Sequence, residues 1–324
     1  MSVYPSQLPP ALQPGDLVTA IATSGALKET EALEAGLDIW RSRGYRIELG
    51  SNWKSSYSYL AGDDTERRQA LAAAWNNPEC KAIAFIRGGY GGARLLENWS
   101  WQQKLTKSQN FSSQDVNLLN INTNTELSIP NPKWIVGFSD VTSLLWSLAT
   151  VGISSLHAPV LTTLAAEPEW SIERMFSCLE GRSIKSLQGN GWGGGQAEGI
   201  LLPVNLTVAT HLLGTLIQPS LAGVILALED VTEYPYRIDR MLTQWRLMGV
   251  FQQIKGIALG RFSRCDPYPG SNSWTAAEVL RNRLGDLNIP LVADLPFGHD
   301  GVNAALPVGR SVQLNGDTGL LSWD

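Results

Sequence analysis

Ser139, His299 and the adjacent carboxylates Glu229 and Asp230 are the residues of this chain whose types and settings suit acyl transfer. The apolar run Trp134-Ile135-Val136 reads as a buried strand. It meets Gly137, then Phe138 and Ser139, and an apolar helical pattern follows from Val141 to Leu145. A glycine just before the serine permits a tight strand-to-helix turn. Such a turn pushes a hydroxyl to the end of a sheet and aims helix-start N–H groups at the same place. The segment departs from the G-x-S-x-G pattern, because Val141 stands where the second glycine would be.

Only three histidines are available as a base: His157, His211 and His299. His299 lies in Leu295-Pro296-Phe297-Gly298-His299-Asp300-Gly301, a loop after an expected strand, where a rigid sheet can position a catalytic group. His157 follows a short expected strand, 152–156, and reads as structural. His211 lies in the apolar helical run 206–216 and reads as a satisfied core residue. Glu229 and Asp230 end an apolar strand. A carboxylate there can accept the Nδ1 hydrogen of an imidazole and fix its tautomer. Alternatively, both pair with Arg237 or Arg240 and hold a loop; the sequence leaves the two readings level. Ser139, Glu229 and His299 form a candidate triad in the order Ser…Glu…His. The hydroxyl would come from the front half and the other two from the back half, leaving the site in the cleft between them.

The loop Arg87-Gly88-Gly89-Tyr90-Gly91-Gly92 fits neither a nucleoside-triphosphate loop nor a dinucleotide fingerprint. Its glycines can instead bring backbone N–H groups close to a reacting carbonyl. The N–H groups of Gly88, Gly89 and Asp140 are thus the candidate oxyanion hole. Three scattered histidines and three scattered cysteines offer no metal-ligand spacing, so neither a metal nor another cofactor is expected.

The elements that must position these groups alternate. Strands are expected at 16–23, 45–49, 82–86 and 134–137, with helices at 28–43, 63–76 and from 93. This is the rhythm of a mainly parallel α/β sheet. A segment rich in Asn, Ser, Gln and Thr, 98–132, breaks it and reads as a surface insertion. A helix at 167–179 closes the first domain, 1–180. The glycine-rich stretch 181–199 reads as a linker. The second, smaller α/β domain, 200–324, holds strands at 224–228, 256–259 and 291–293 and in the last fifteen residues, with helices at 238–247 and 276–284. The 324 residues, 44% of them hydrophobic, suffice for two packed cores. A net charge of −5 without a basic run gives no reason to expect nucleic acid. Cys80, Cys178 and Cys265 read as reduced thiols. Neither a signal pattern nor a membrane-length apolar stretch is evident, so a cytoplasmic protein is expected.

Taken together, the motifs resemble the LD-carboxypeptidases, the muramoyltetrapeptide carboxypeptidase family that also includes microcin C immunity peptidases. In the front half the matching stretches are Arg87-Gly88-Gly89-Tyr90-Gly91 with Arg94-Leu95-Leu96, Gly137-Phe138-Ser139-Asp140 with Thr142, and Leu156-His157. In the back half they are Ala197-Glu198-Gly199, Leu228-Glu229-Asp230 with Tyr236-Arg237-Ile238-Asp239-Arg240-Met241, Gly260-Arg261-Phe262, and Leu295-Pro296-Phe297-Gly298-His299 with Asn303 and Leu306-Pro307. The resemblance implies a class I amidotransferase-like N-terminal domain and a smaller C-terminal α/β domain. It implies a metal-free serine peptidase with Ser139 as nucleophile, His299 as base then acid, and Glu229 as orienting carboxylate. It also implies an oxyanion hole from Gly88, Gly89 and Asp140, a homodimer, and release of terminal D-alanine from a muropeptide tetrapeptide during cell-wall recycling. Two departures stand out. Pro203-Val204-Asn205-Leu206 replaces the usual Gly-Gly-Asn-Leu, and 98–132 is longer than the usual connection.

Three alternatives remain at this level. An immunity-type peptidase would cleave an aminoacyl-sulfamoyl adenylate and need an aromatic platform, for which Trp192 is the candidate. A non-catalytic module would bind muropeptides in the same cleft. An α/β-hydrolase esterase shares the triad order but normally has the second glycine.

Overall fold

A computed structural model describes residues 6–101, 129 and 131–323. Most of the expected insertion 98–132 therefore lies outside the described residues. Its described ends are tucked in: Trp101 and Ile129 are buried, and Trp101 Nε1 donates to Ser147 Oγ at 2.9 Å.

Strands β1 (Leu17–Ile21), β2 (Arg46–Leu49), β3 (Cys80–Phe85), β4 (Trp134–Gly137) and β5 (Ser155–His157) alternate with helices α1 (Thr30–Ser42), α2 (Asp64–Asn76), α3 (Gly92–Leu95) and α4 (Thr142–Ala149). The five strands run parallel in the order β5-β4-β3-β1-β2. Strand β4 is buried along its whole length and β3 almost so, because helices cover both faces of a parallel sheet. Helix α2 begins with a capping box in which Asp63 takes the N–H groups of Thr65 and Glu66.

After α5 (Leu161–Leu164) and α6 (Glu169–Leu179) come β6 (Leu187–Gln188), β7 (Asn190–Gly191), β8 (Gln196–Asn205), α7 (Leu206–Leu212), β9 (Val224–Val231), α8 (Pro235–Leu247), β10 (Gly256–Ser263), α9 (Ala276–Leu284), β11 (Leu291–Ala293), β12 (Leu306–Val308), β13 (Ser311–Asn315) and β14 (Leu320–Ser322). A second sheet has the order β6-β14-β13-β8-β9-β10-β11-β7. Its four central strands, β8 to β11, are parallel, with antiparallel strands on both flanks. The molecule is thus an α/β protein with a mainly parallel first sheet and a second sheet. Among the described residues no helix is long and apolar enough to cross a membrane.

Three expectations need correction. The stretch 181–199 is no free linker: it supplies β6, β7 and the start of β8 to the second sheet. Its glycines serve close backbone approach. A Cβ at Gly189 would overlap the carbonyl of Ala293, and one at Gly191 that of Gly316. Nor does the chain stay in the second unit after residue 200, because β12 returns to pair antiparallel with β5 at the edge of the first sheet. His211 is exposed rather than core; its Nδ1 lies 2.6 Å from the Thr207 carbonyl on its own helix.

Arg67 on α2 fastens the loops at the carboxyl ends of β1 and β3. Its fully buried guanidinium donates to the carbonyl of Thr23 and, at 2.8 Å, to that of Gly91, and it pairs with Asp64. Asp64 also holds Arg94 at 2.6 Å. Arg67→Met would keep most of the volume but leave two buried carbonyls short of a donor. We expect a loss of about 2–4 kcal/mol, read from the urea midpoint at constant slope. A midpoint indistinguishable from the parent would show that the guanidinium does not brace these loops.

Candidate active site

The chain leaves β4 through Gly137, whose missing side chain lets Val141 fold back. A Cβ there would lie 3.0 Å from the Phe85 ring and 3.1 Å from both Val141 methyls. Ser139 follows with φ of 62°, a left-handed conformation uncommon for a residue with a side chain. The turn closes with Val141 N–H donating to the Phe138 carbonyl at 3.2 Å, and α4 begins at Thr142. Val141, in place of the second glycine, is fully buried.

The glycine loop after β3 lies directly against this serine. A Cβ added to Gly88 would be 3.0 Å from both Cβ and Oγ of Ser139, and 4.0 Å from the backbone nitrogen of Asp140. The Gly88 carbonyl accepts the Gly25 N–H at 3.2 Å. A trans peptide then turns the Gly89 N–H to the opposite side. The Asp140 carboxylate, which sequence reasoning passed over, joins three loops. It accepts the Ser24 hydroxyl at 2.6 Å and the Gly92 N–H at 2.7 Å. Burial pushes its pKa up, while the hydrogen bonds from Ser24 and Gly92 act in the other direction.

On the facing side, Glu229 lies in the buried part of β9 with its side chain fully enclosed. Its Oε2 lies 2.7 Å from His299 Nδ1. Its Oε1 accepts from Asn205 Nδ2 at 3.2 Å. Asn205 also donates to Asp230 Oδ1 at 3.0 Å and, through its backbone N–H, to Thr142 Oγ1 at 3.1 Å. It therefore ties both carboxylates to the start of α4. Asp230 accepts in addition from the N–H and hydroxyl of Thr207. Burial, joined by the charge of Glu229, pushes the Asp230 pKa up to about 6. The reading that these carboxylates pair with Arg237 or Arg240 does not match the contacts: Arg237 pairs with Glu233 at 3.5 Å.

The His299 loop is bound on both sides. Ser263 Oγ donates to the His299 carbonyl at 2.7 Å, and Gly298 N–H donates to Asn303 Oδ1 at 3.0 Å. Asn303 N–H reaches Glu167 of the front half at 2.9 Å. The imidazole packs on Phe138, with ring centroids 4.7 Å apart, so it stands beside the residue preceding Ser139. Burial disfavours the imidazolium, but the Glu229 hydrogen bond and charge outweigh it, and the His299 pKa is raised above 6.5. Among the described residues the Ser139 hydroxyl has no hydrogen-bond partner; such contacts often tighten only when substrate binds. His157 is fully buried between the Phe138 and Phe297 rings, and desolvation lowers its pKa to about 4. It is therefore neutral at pH 7.

The structure thus sets the Gly88–Gly89 loop against Ser139, ties the Glu229 neighbourhood to the start of α4 through Asn205, and packs the His299 ring on Phe138, the residue before the serine. Among the described residues no cluster of three or more His, Cys, Asp or Glu side chains could hold a metal. The arrangement can take a proton from a hydroxyl through an imidazole and offer N–H groups to a developing oxyanion.

Comparison with known proteins gives a consistent result. Models of the LD-carboxypeptidase N-terminal domain and C-terminal domain match residues 18–158 and 198–314. A putative carboxypeptidase of Synechocystis is 53% identical, covering 97% of this chain and 96% of the relative. The crystal structure of a muramoyltetrapeptide carboxypeptidase from Oxalobacter formigenes has a TM-score of 0.77 at 27% identity, covering 94% and 97% of the two chains. The microcin C7 self-immunity protein MccF, solved with aspartyl sulfamoyl adenosine, has a TM-score of 0.81 over 98% of both chains. At 20% identity that likeness is one of fold.

The His299 ring should titrate above 6.5 by NMR, and in Glu229→Gln it should titrate below the parent, because burial then acts with less opposition. The sign for stability follows. A folded pKa above the unfolded one gives stabilisation that is complete below about pH 6.5 and fades as pH rises through the folded value. An unchanged His299 titration in Glu229→Gln would mean that the carboxylate does not govern this ring.

Proposed function

Because the chain belongs to the LD-carboxypeptidase family and is a peptidase of it, we propose a serine-type enzyme that releases the terminal D-alanine of muropeptide tetrapeptides in cytoplasmic cell-wall recycling. Ser139 Oγ attacks the scissile carbonyl carbon while its proton passes to His299 Nε2. Glu229 holds the proton on Nδ1 and stabilises the imidazolium. The N–H groups of Gly88, Gly89 and Asp140 receive the oxyanion. Collapse of the tetrahedral intermediate breaks the amide bond, and His299 returns the proton to the departing D-alanine amine. A water molecule, deprotonated by the same imidazole, then cleaves the acyl-enzyme and restores the Ser139 hydroxyl.

The observation that carries this reading is the left-handed Ser139, flanked by Gly88 and preceded by Phe138, whose ring packs on an imidazole paired with a buried carboxylate. A non-catalytic muropeptide-binding module has no need of such a strained serine. The adenylate reading has less support, since Trp192 offers no free platform. Arg281 covers its ring at 4.0 Å, and the Trp192 backbone N–H donates to the carbonyl of Leu291, at the amino end of β11. Glu229 lies at the carboxyl end of β9, which runs parallel to β10 and β11, so Trp192 faces the other end of the sheet.

Incubation with a tetrapeptide ending in diaminopimelate-D-alanine should liberate D-alanine, and a fluorophosphonate should label Ser139. Ser139→Ala should lower kcat by about 10⁴-fold or more and abolish labelling. Failure of pure, folded protein to release D-alanine would remove the substrate assignment, and near-normal turnover by Ser139→Ala would remove the nucleophile.

A further inference from the structure

Removing one residue from the end of a peptide demands a device that tells a chain terminus from an internal link. The chemical mark of a terminus is its carboxylate, which in the substrate lies one residue beyond the scissile carbonyl. A fixed cation next to the oxyanion site would read that mark. Resting on the reading above, we infer that Arg87 is that cation: the residue that selects substrates by their terminal carboxylate.

Arg87 immediately precedes Gly88, the glycine that touches Ser139. It leaves the sheet at the carboxyl end of β3, next to the strand that delivers the serine. Its guanidinium is held in place. Nη1 donates to the Ala26 carbonyl at 2.6 Å. The group also lies close to the Gly25 backbone, where a Cβ would stand 2.8 Å from Nη1. From the other side, a Cβ at Gly89 would stand 3.9 Å from Nη2. The guanidinium therefore borders Gly25 and Gly89, the second of which belongs to the proposed oxyanion hole.

Its charge is uncommitted. The other two arginines at this end of the sheet, Arg67 and Arg94, both pair with Asp64. Among the described residues no carboxylate pairs with Arg87. A half-buried guanidinium with only a carbonyl partner retains donors in the fork geometry that matches a carboxylate. Beside the base, Arg264 pairs with Asp300, and Arg261 is turned to the His299 loop and donates to the Val302 carbonyl at 2.9 Å. It borders the base and not the oxyanion glycines.

The test compares a tetrapeptide carrying a free D-alanine carboxylate with the same peptide amidated at that end. The parent should prefer the free acid in kcat/KM. Arg87→Gln should lose about 10–100-fold on the acid, change little on the amide, and so erase the preference. Arg87→Lys, which keeps a point charge without the fork, should fall between. Calorimetry in an Ser139→Ala background adds a reading free of turnover: affinity should favour the acid, and Arg87→Gln should remove that bias. Equal losses on acid and amide would assign Arg87 a merely structural role and overturn the inference while leaving the peptidase reading intact. Cleavage of neither peptide by the parent would overturn the muropeptide substrate assignment, and the inference with it.

Discussion

A serine held at positive φ is the constraint on which this molecule turns. Such a conformation costs on the order of 1–3 kcal/mol and persists only where the surroundings over-determine it. Here the surroundings come from three strands. Asp140, the next residue, plants a buried carboxylate between the Ser24 hydroxyl after β1 and the Gly92 N–H after β3. Val141 packs back on Gly137, and α4 starts one residue later. Relaxing Ser139 to a right-handed conformation would swing Asp140 off both donors and leave a buried carboxyl group short of its hydrogen bonds. The strain of one residue is thus locked by the desolvation of its neighbour.

The electrostatics on the facing side follow a related logic. Two adjacent buried carboxylates would repel, yet their hydrogen bonds divide the labour. Asp230 is surrounded by donors from Thr207, Asn205 and Val231. Glu229 receives a single amide on Oε1 and keeps Oε2 for His299. After burial, Glu229 acts most strongly on the imidazole, ahead of Asp230 and Asp300. Asn205 is the joint. It spans Glu229 and Asp230 with its amide, caps α7 through Oδ1, and reaches Thr142 beside the nucleophile. Replacement of the usual paired glycines by Pro203 and Val204 leaves this joint in place, because both residues lie within the buried part of β8.

What was readable from sequence was whatever rests on local pattern. The alternation of apolar runs and helical periods located the elements of the first sheet. Gly137 before Ser139 marked the turn, and the rarity of histidine drew attention to His299. What escaped was long-range. The Asp140 side chain has no local signature, since its partners are 116 and 48 positions away. Asn205 was noted only as part of a departure from a motif. The glycines of 181–199 misled because composition does not tell a flexible glycine from one pressed against another backbone. His211 misled because its apolar neighbours lie on one side of a short helix, and the ring lies on the other.

The two halves do not act as independent bodies. Strand β12 leaves the second unit to complete the first sheet beside β5, the strand that ends in His157. The segment just before it carries His299 and Asn303, and Asn303 is gripped by Glu167 and Ser171 of the front half. Arg174 on α6 adds a third grip through the Ala305 carbonyl at 2.8 Å. The base is therefore mounted on a loop whose ends are fixed to both sheets, so its position relative to the serine is set by strand pairing rather than by the closing of a hinge. A hinged pair of domains would have to find this geometry anew with each substrate. An arrangement stitched to both sheets fixes the backbone that carries the base before any substrate arrives.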